Sequence, residues 1–193
     1  MKAVDYLSCI EPVVVSLFNA LLDAESRRES EQRYLEPKFR YLSYQFSHWS
    51  QVEEHDDERL NYTHSRAREA HQALLLIDSA SAAAAGAILQ VARLCVSMAW
   101  TNDQSQLKGR RVGTQALASV IWHTRNQALH FEDGIPKNEK TRACLEMLHN
   151  ECGLDTAQLD SIPRSLARQV IGILGWHSYE LFAKDMVALL AEP

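Results

Sequence analysis

The chain has 193 residues, 46% hydrophobic and 23% charged, with a formal net charge of −5, the make-up of a soluble globular protein with chain enough for one full core. The negative balance excludes a global field that draws nucleic acid, so any attraction for RNA must be local. Seven glycines and five prolines leave little punctuation for a turn-rich β architecture.

Apolar residues recur at spacings of three and four along most of the length, the pattern of amphipathic helices. A first helix is expected over residues 3–26, with Leu7, Ile10, Val14, Leu17, Phe18 and Leu21 on one face. A second follows over about 29–54, and Pro37 should kink it or end a short first piece. The acidic stretch "EEHDDER" (53–59) reads as a connection. A long helix over about 62–100 carries Gly86 inside an alanine run. That glycine suits close helix–helix approach, while the alanines also serve helix propensity.

The polar, glycine-containing "TNDQSQLKGRRVG" (101–113) reads as a loop, and a helix over about 113–131 ends before "DGIP". A short helix near 138–151 stops at Gly153, and a last one over about 163–191 starts with Ser161 as cap and Pro163 in its first turn. No strand-like alternation of useful length occurs. The expectation is an all-α helical bundle with additional short helices, forming a single domain over 1–193.

Several chemistries find no support. Cys9, Cys95, Cys144 and Cys152 form no C-x-x-C pair or zinc spacing and read as reduced packing residues. The serines lack a G-x-S-x-G setting, and no phosphate-binding glycine loop is present. The longest apolar run, "SASAAAAGAIL" (79–89), is too short to span a bilayer. With no signal peptide read at the start, a cytoplasmic protein without membrane contact is expected. His48, His55, His64 and His71 invite a metal reading, but partners seven residues apart on a helix sit about 10 Å apart, too far for one zinc without other ligands. They read as a polar face; a metal-dependent hydrolase built on them is the third-ranked alternative. Trp49, Trp100, Trp122 and Trp176 read as core or interface residues and His177 as a hydrogen-bonded core histidine. No metal or cofactor is expected.

One segment stands apart: "HTRNQALHFEDG", residues 123–134. Arginine followed five residues later by histidine is a cheap pattern, and Arg59/His64 and Arg66/His71 share it. Only the Arg125 copy has a polar residue, Asn126, directly after the arginine and lies at a helix end beside a Gly/Pro loop. Leu117, Ile121, Arg125 and Leu129 fall on one helical row, so Arg125 continues an apolar stripe. Asn126 lies one turn before His130 and can orient its ring. Arg125 and His130 are about 140° apart around an ideal helix, so one helix closes no tight pair, whereas two copies across a twofold axis do. Histidine exchanges protons near neutral pH, and arginine holds phosphate in its fixed fork of donors. Glu132, Asp133 and the helix C-terminus should favour protonated His130. Lys108, Arg110 and Arg111 in "KGRR" are the best basic cluster for RNA-backbone contacts, with a solvated loop as the plain alternative. For the motif itself the plain alternative is a helix C-terminus with Arg125 paired to Glu132 or Asp133.

"RNQALH", closing an apolar helix in an all-α chain, resembles the R-x(4–6)-H signature of HEPN domains, in which a polar residue follows the arginine. The resemblance implies a bundle of four or five helices that dimerises with its motif helices facing each other. It also implies metal-independent endoribonuclease activity on RNA, in a toxin or anti-phage setting with an antitoxin or other regulatory protein as partner. Arg125, Asn126 and His130 match the motif. Where many small HEPN toxins continue His-x-Tyr, this chain has Glu132, which does not fit control by modification of that tyrosine. The alternative function is a non-catalytic helical module binding nucleotide, nucleic acid or a partner protein through the same residues.

Overall fold

A computed structural model of the chain describes residues 3–47, 57–99, 109–134, 136–157, 159 and 163–191. They form six α-helices, one 3-10 turn and one minimal hairpin: α1 (Ala3–Ser47), α2 (Asp57–Ala99), β1 (Arg111–Val112), β2 (Gln115–Ala116), α3 (Leu117–Leu129), the turn Phe131–Asp133, α4 (Glu139–Cys152), α5 (Ala167–Ile173) and α6 (Tyr179–Ala191). The fold is all-α, as the periodicity requires. The chain divides into two compact units, Met1–Leu21 with Ala82–Pro193, and Leu22–Ser81.

The smaller unit is an αα-hairpin of the C-terminal part of α1 and the N-terminal part of α2. Leu35 and Leu42 pack with Leu60, Ala67 and Ala70, and Arg28 Nε bonds Asp78 Oδ1 at 2.9 Å. The helices expected separately over 3–26 and 29–54 are one, α1, of 45 residues, which takes in Pro12 and Pro37, so Pro37 does not end a short first piece. Each proline lacks the N–H that a helix donates to the carbonyl four residues earlier. Buried Leu35 and Leu42 flank Pro37, and packing on both sides offsets the local cost.

The larger unit holds the main core. Leu7, Val14, Phe18 and Leu21 of α1 pack with Ile88, Leu89 and Cys95 of α2, Val120 and Ile121 of α3, Leu148 of α4, Val170 of α5 and Phe182 of α6. Phe182, fully buried, meets Trp176 edge-on with centroids 5.2 Å apart. α4 is bounded as its sequence suggests: Asn138 caps it by accepting from Thr141 N at 3.1 Å, and Gly153 ends it in the left-handed region at φ 72°.

Three expectations need correction here. The 101–113 loop gives way at its end to an antiparallel pair, Arg111 opposite Ala116 and Val112 opposite Gln115. Its two-residue turn needs Gly113 at φ 58°, and Glu151 closes it by accepting from Thr114 N and Oγ1, both at 2.7 Å. These bonds hold the Glu151 carboxyl below its ordinary range. The expected helix over 163–191 is two helices, because Gly175 turns the chain at φ 67° after α5. His177 therefore sits exposed between them, while its neighbour Trp176 is buried. Ser161, the expected cap, lies outside the described residues.

Cys95 and Cys144 are buried, and burial pushes both thiols up to about 12; Cys9 is exposed, contrary to the packing role expected of it. α1 and α2 each contain an 18-residue window long and apolar enough for a membrane span by length and composition, a test that the core helices of a bundle also pass.

Gly86 of α2 faces α3, but a methyl group there would stand 3.8 Å from Ala128 Cβ, in ordinary contact. Close approach does not demand glycine. Gly86→Ala is therefore expected to stabilise the protein by about 0.5–1 kcal/mol, read as a higher midpoint in chemical denaturation; a lower midpoint contradicts this packing.

Candidate functional site

α3 carries the motif, and its burial explains where each residue points. Leu117 and Ile121 are buried, Arg125 is half-buried and Leu129 is 52% exposed, so the row read from the sequence runs out of the core and meets the surface at Arg125. The neighbour across the seam is α2. Arg125 donates through Nε to Gln90 Oε1 and through Nη1 to Asn126 Oδ1 at 3.1 Å. One turn away, the Arg93 guanidinium stacks 4.4 Å over the Trp122 ring. Gly86/Ala128, Gln90/Arg125 and Arg93/Trp122 thus form successive rungs of an antiparallel α2/α3 pair.

The charge environment of these rungs is unusual. Arg125's hydrogen-bond partners are neutral amides, and among the described residues neither Arg125 nor Arg93 pairs with a carboxylate. Burial, and then the Arg93 guanidinium, pull the Arg125 pKa below its ordinary value. Arginine stays charged regardless, so the seam presents cationic charge with no counterion among the described residues. The plain reading, Arg125 paired to Glu132 or Asp133, does not hold in this arrangement.

His130 follows the last residue of α3, and its backbone N–H closes the helix by bonding the Asn126 and Gln127 carbonyls. Its side chain is 71% exposed, with Nδ1 4.0 Å from Asp133 Oδ2. It lines a surface cleft of about 310 Å³ with Asn126, Lys137, Asn138 and Thr141 among the other walls. Within one chain, then, Arg125 contacts Gln90 and Asn126 while His130 faces Asp133. Asn126 reaches both environments, yet its carbonyl serves Arg125 and not the imidazole it was expected to orient. His123, on the turn before Arg125, meets Thr141 Oγ1 at 3.1 Å through Nδ1; burial and nearby Lys140 lower its pKa, favouring the neutral ring.

Gln127 explains why the helix is held so firmly at this point. It is 2% exposed; its Nε2 donates to Arg164 O at 2.8 Å and its Oε1 accepts from Leu166 N at 2.9 Å. The side chain thereby pairs both backbone groups of the strand-like approach to α5. Gln127→Leu leaves that N–H and C=O unpaired in a dry site and is expected to cost about 2 kcal/mol. Urea denaturation measures it; a loss below a few tenths would mean that water reaches the clamp.

The basic cluster behaves differently from the expectation. Arg110 is not available for RNA: Nε bonds both Asp185 oxygens at 2.9 and 3.0 Å, and Nη2 bonds the Leu174 carbonyl. A carboxylate 75 residues away neutralises it. Arg111 is exposed and gives Nη1 to Thr114 O at 2.6 Å. Lys108 lies outside the described residues, as do Trp49, Trp100, His48 and His55. His64 and His71 are exposed on the smaller unit, and no group of three His, Cys, Asp or Glu able to hold a metal gathers among the described residues.

Sequence reading missed Arg93, Gln90 and the partnering role of Trp122. The available signal was a lone arginine three residues after a glutamine, interrupting the apolar run of α2 between Leu89 and Cys95. No family model, curated protein or solved structure matches this chain.

Proposed function

We propose that this chain is a metal-independent endoribonuclease of the HEPN type, acting in the cytoplasm as a homodimer, in a toxin or anti-phage defence setting, with an antitoxin or other regulatory protein as a further partner. The observation that carries the reading is Arg125: a guanidinium at the surface edge of an apolar row, held by neutral partners and without a counterion among the described residues. Such a group is prepared for an anion, and its partner in the motif, His130, is exposed at the end of the same helix. Since the two face different neighbours within one chain, the reading requires a second copy, whose His130 approaches this Arg125. The exposed apolar side chains Leu94, Met98 and Leu129 lie on the helices that carry the seam and suit burial against that copy.

In the proposed reaction the ribose 2′-hydroxyl gives up its proton to a solvent water and its oxygen attacks the adjacent phosphorus. The bond to the 5′-oxygen breaks, and His130 supplies the proton that this leaving oxygen takes. Arg125 neutralises the phosphorane charge, Asn126 holds Arg125, and Arg111 and Lys108 add contacts to the backbone. The products are a 2′,3′-cyclic phosphate and a 5′-hydroxyl.

The test is incubation of the purified protein with structured RNA in EDTA, with the ends identified chemically. Cyclic phosphate ends support the reading; activity that EDTA abolishes overturns it. A second reading, a non-catalytic binding module, draws on the 4.0 Å approach of His130 to Asp133, which gives the imidazole a partner of its own. Retained RNA binding with no cleavage would favour it.

A further inference from the structure

We infer that Arg93 is a second phosphate-holding residue, placed one rung along the α2/α3 seam from Arg125 so that a single-stranded RNA meets two guanidiniums in succession. The inference rests on the proposed RNA-directed function and extends it to a residue outside the motif.

Three observations carry it. First, Arg93 and Arg125 lie on neighbouring rungs, three residues apart on each helix, a rise of about 4.5 Å. The Arg93 charge acts on Arg125, and among the described residues no carboxylate relieves the pair; a polyanion does. Second, Trp122 holds Arg93 in place. The guanidinium carbon lies over the ring, 4.4 Å from its centroid, and its Nε is buried without a hydrogen-bond partner among the described residues. A cation held on an aromatic face is pre-organised, so less freedom is lost when an anion arrives. Third, the surroundings are open. Arg93 and Arg125 are both half-buried rather than enclosed, which suits a strand crossing the seam better than a small enclosed ligand.

Each phosphate contact to a single strand contributes about 0.7 to the slope of log affinity against log salt. The experiment measures binding of a short, uncleavable 2′-O-methyl RNA by fluorescence anisotropy across a salt series, beside cleavage of the unmodified RNA. Arg93→Gln is expected to weaken binding about tenfold or more and to lower the slope by about 0.7. Arg93→Lys keeps the charge and should keep the slope while losing part of the affinity, and it serves as the folded comparison if the glutamine variant unfolds. Trp122→Leu should weaken binding only where Arg93 is present, giving a non-additive double mutant. Unchanged affinity and slope in folded Arg93→Gln overturns the inference and leaves the ribonuclease reading standing if cleavage persists. Arg93-dependent binding without any cleavage does the reverse. A wild-type protein that binds no RNA overturns both.

Discussion

His130→Ala is expected to lower RNA cleavage by about 10²–10⁴-fold, the usual contribution of a positioned proton-transfer group, and Arg125→Ala by about 10²–10³-fold, as for removal of a transition-state charge donor. The sharper result comes from mixing them. If each site takes its imidazole from one copy and its guanidinium from the other, a heterodimer of Arg125→Ala with His130→Ala retains one intact site of two. Random exchange makes half of all dimers hetero, so the mixture recovers about a quarter of wild-type activity. A site built within one chain gives no recovery at all. The contacts around α3 underlie this expectation: Arg125 is turned towards Gln90 on α2, whereas His130 faces Asp133. Rate measurements on the two variants, singly and co-refolded, decide it. Cleavage that survives both substitutions removes these residues from the chemistry.

The second large effect concerns stability. Asp185 of α6 is 12% exposed at its side chain and accepts from Arg110 Nε, from Arg110 Nη2 at 2.9 Å and from Trp176 Nε1 at 2.8 Å. One carboxylate thus ties the residue before β1 to the chain between α5 and α6. Asp185→Ala leaves the indole N–H of a buried tryptophan unpaired and a guanidinium without its counterion. Breaking such a set costs about 3 kcal/mol; the loss is not larger because Arg110, 43% exposed, can turn to water. For a chain of this size that is a fall of roughly 6–12 °C in Tm. Asp185→Asn, which preserves an acceptor for Trp176, should lose about half as much. Differential scanning calorimetry reads both, and an unchanged Tm for the alanine variant would show that the network does not hold these elements.

Periodicity made the helices legible and left their ends uneven. Gly153 marked the end of α4 closely because a left-handed glycine acts within a few residues. Pro37 does not end its helix because its cost is local, while Leu35 and Leu42 gain their stability from residues of α2 far along the chain. The break at Gly175 was hidden because Ile173, Leu174, Trp176 and Leu181 keep an apolar pattern across it.

The candidate site divides along the same line. Arg125 stood out because it interrupted a row on its own helix. Arg93 did not, because its meaning arises only when α2 is laid antiparallel to α3 and Trp122 comes beneath it. Arg110 read as a free charge because nothing near it in sequence names Asp185. Residues whose partners lie within one turn can be read directly; those answered from another element cannot.

The Gln127 clamp bears on how such a segment can change over generations. It pins α3 two residues after Arg125, so an inserted residue between them would swing the guanidinium by about 100° away from Gln90. Beyond Leu129 the helix has ended, and lengthening the chain there would shift only the imidazole. Descendants of this chain should therefore conserve the arginine's register strictly and vary the histidine's offset, the tolerance lying wholly on one flank.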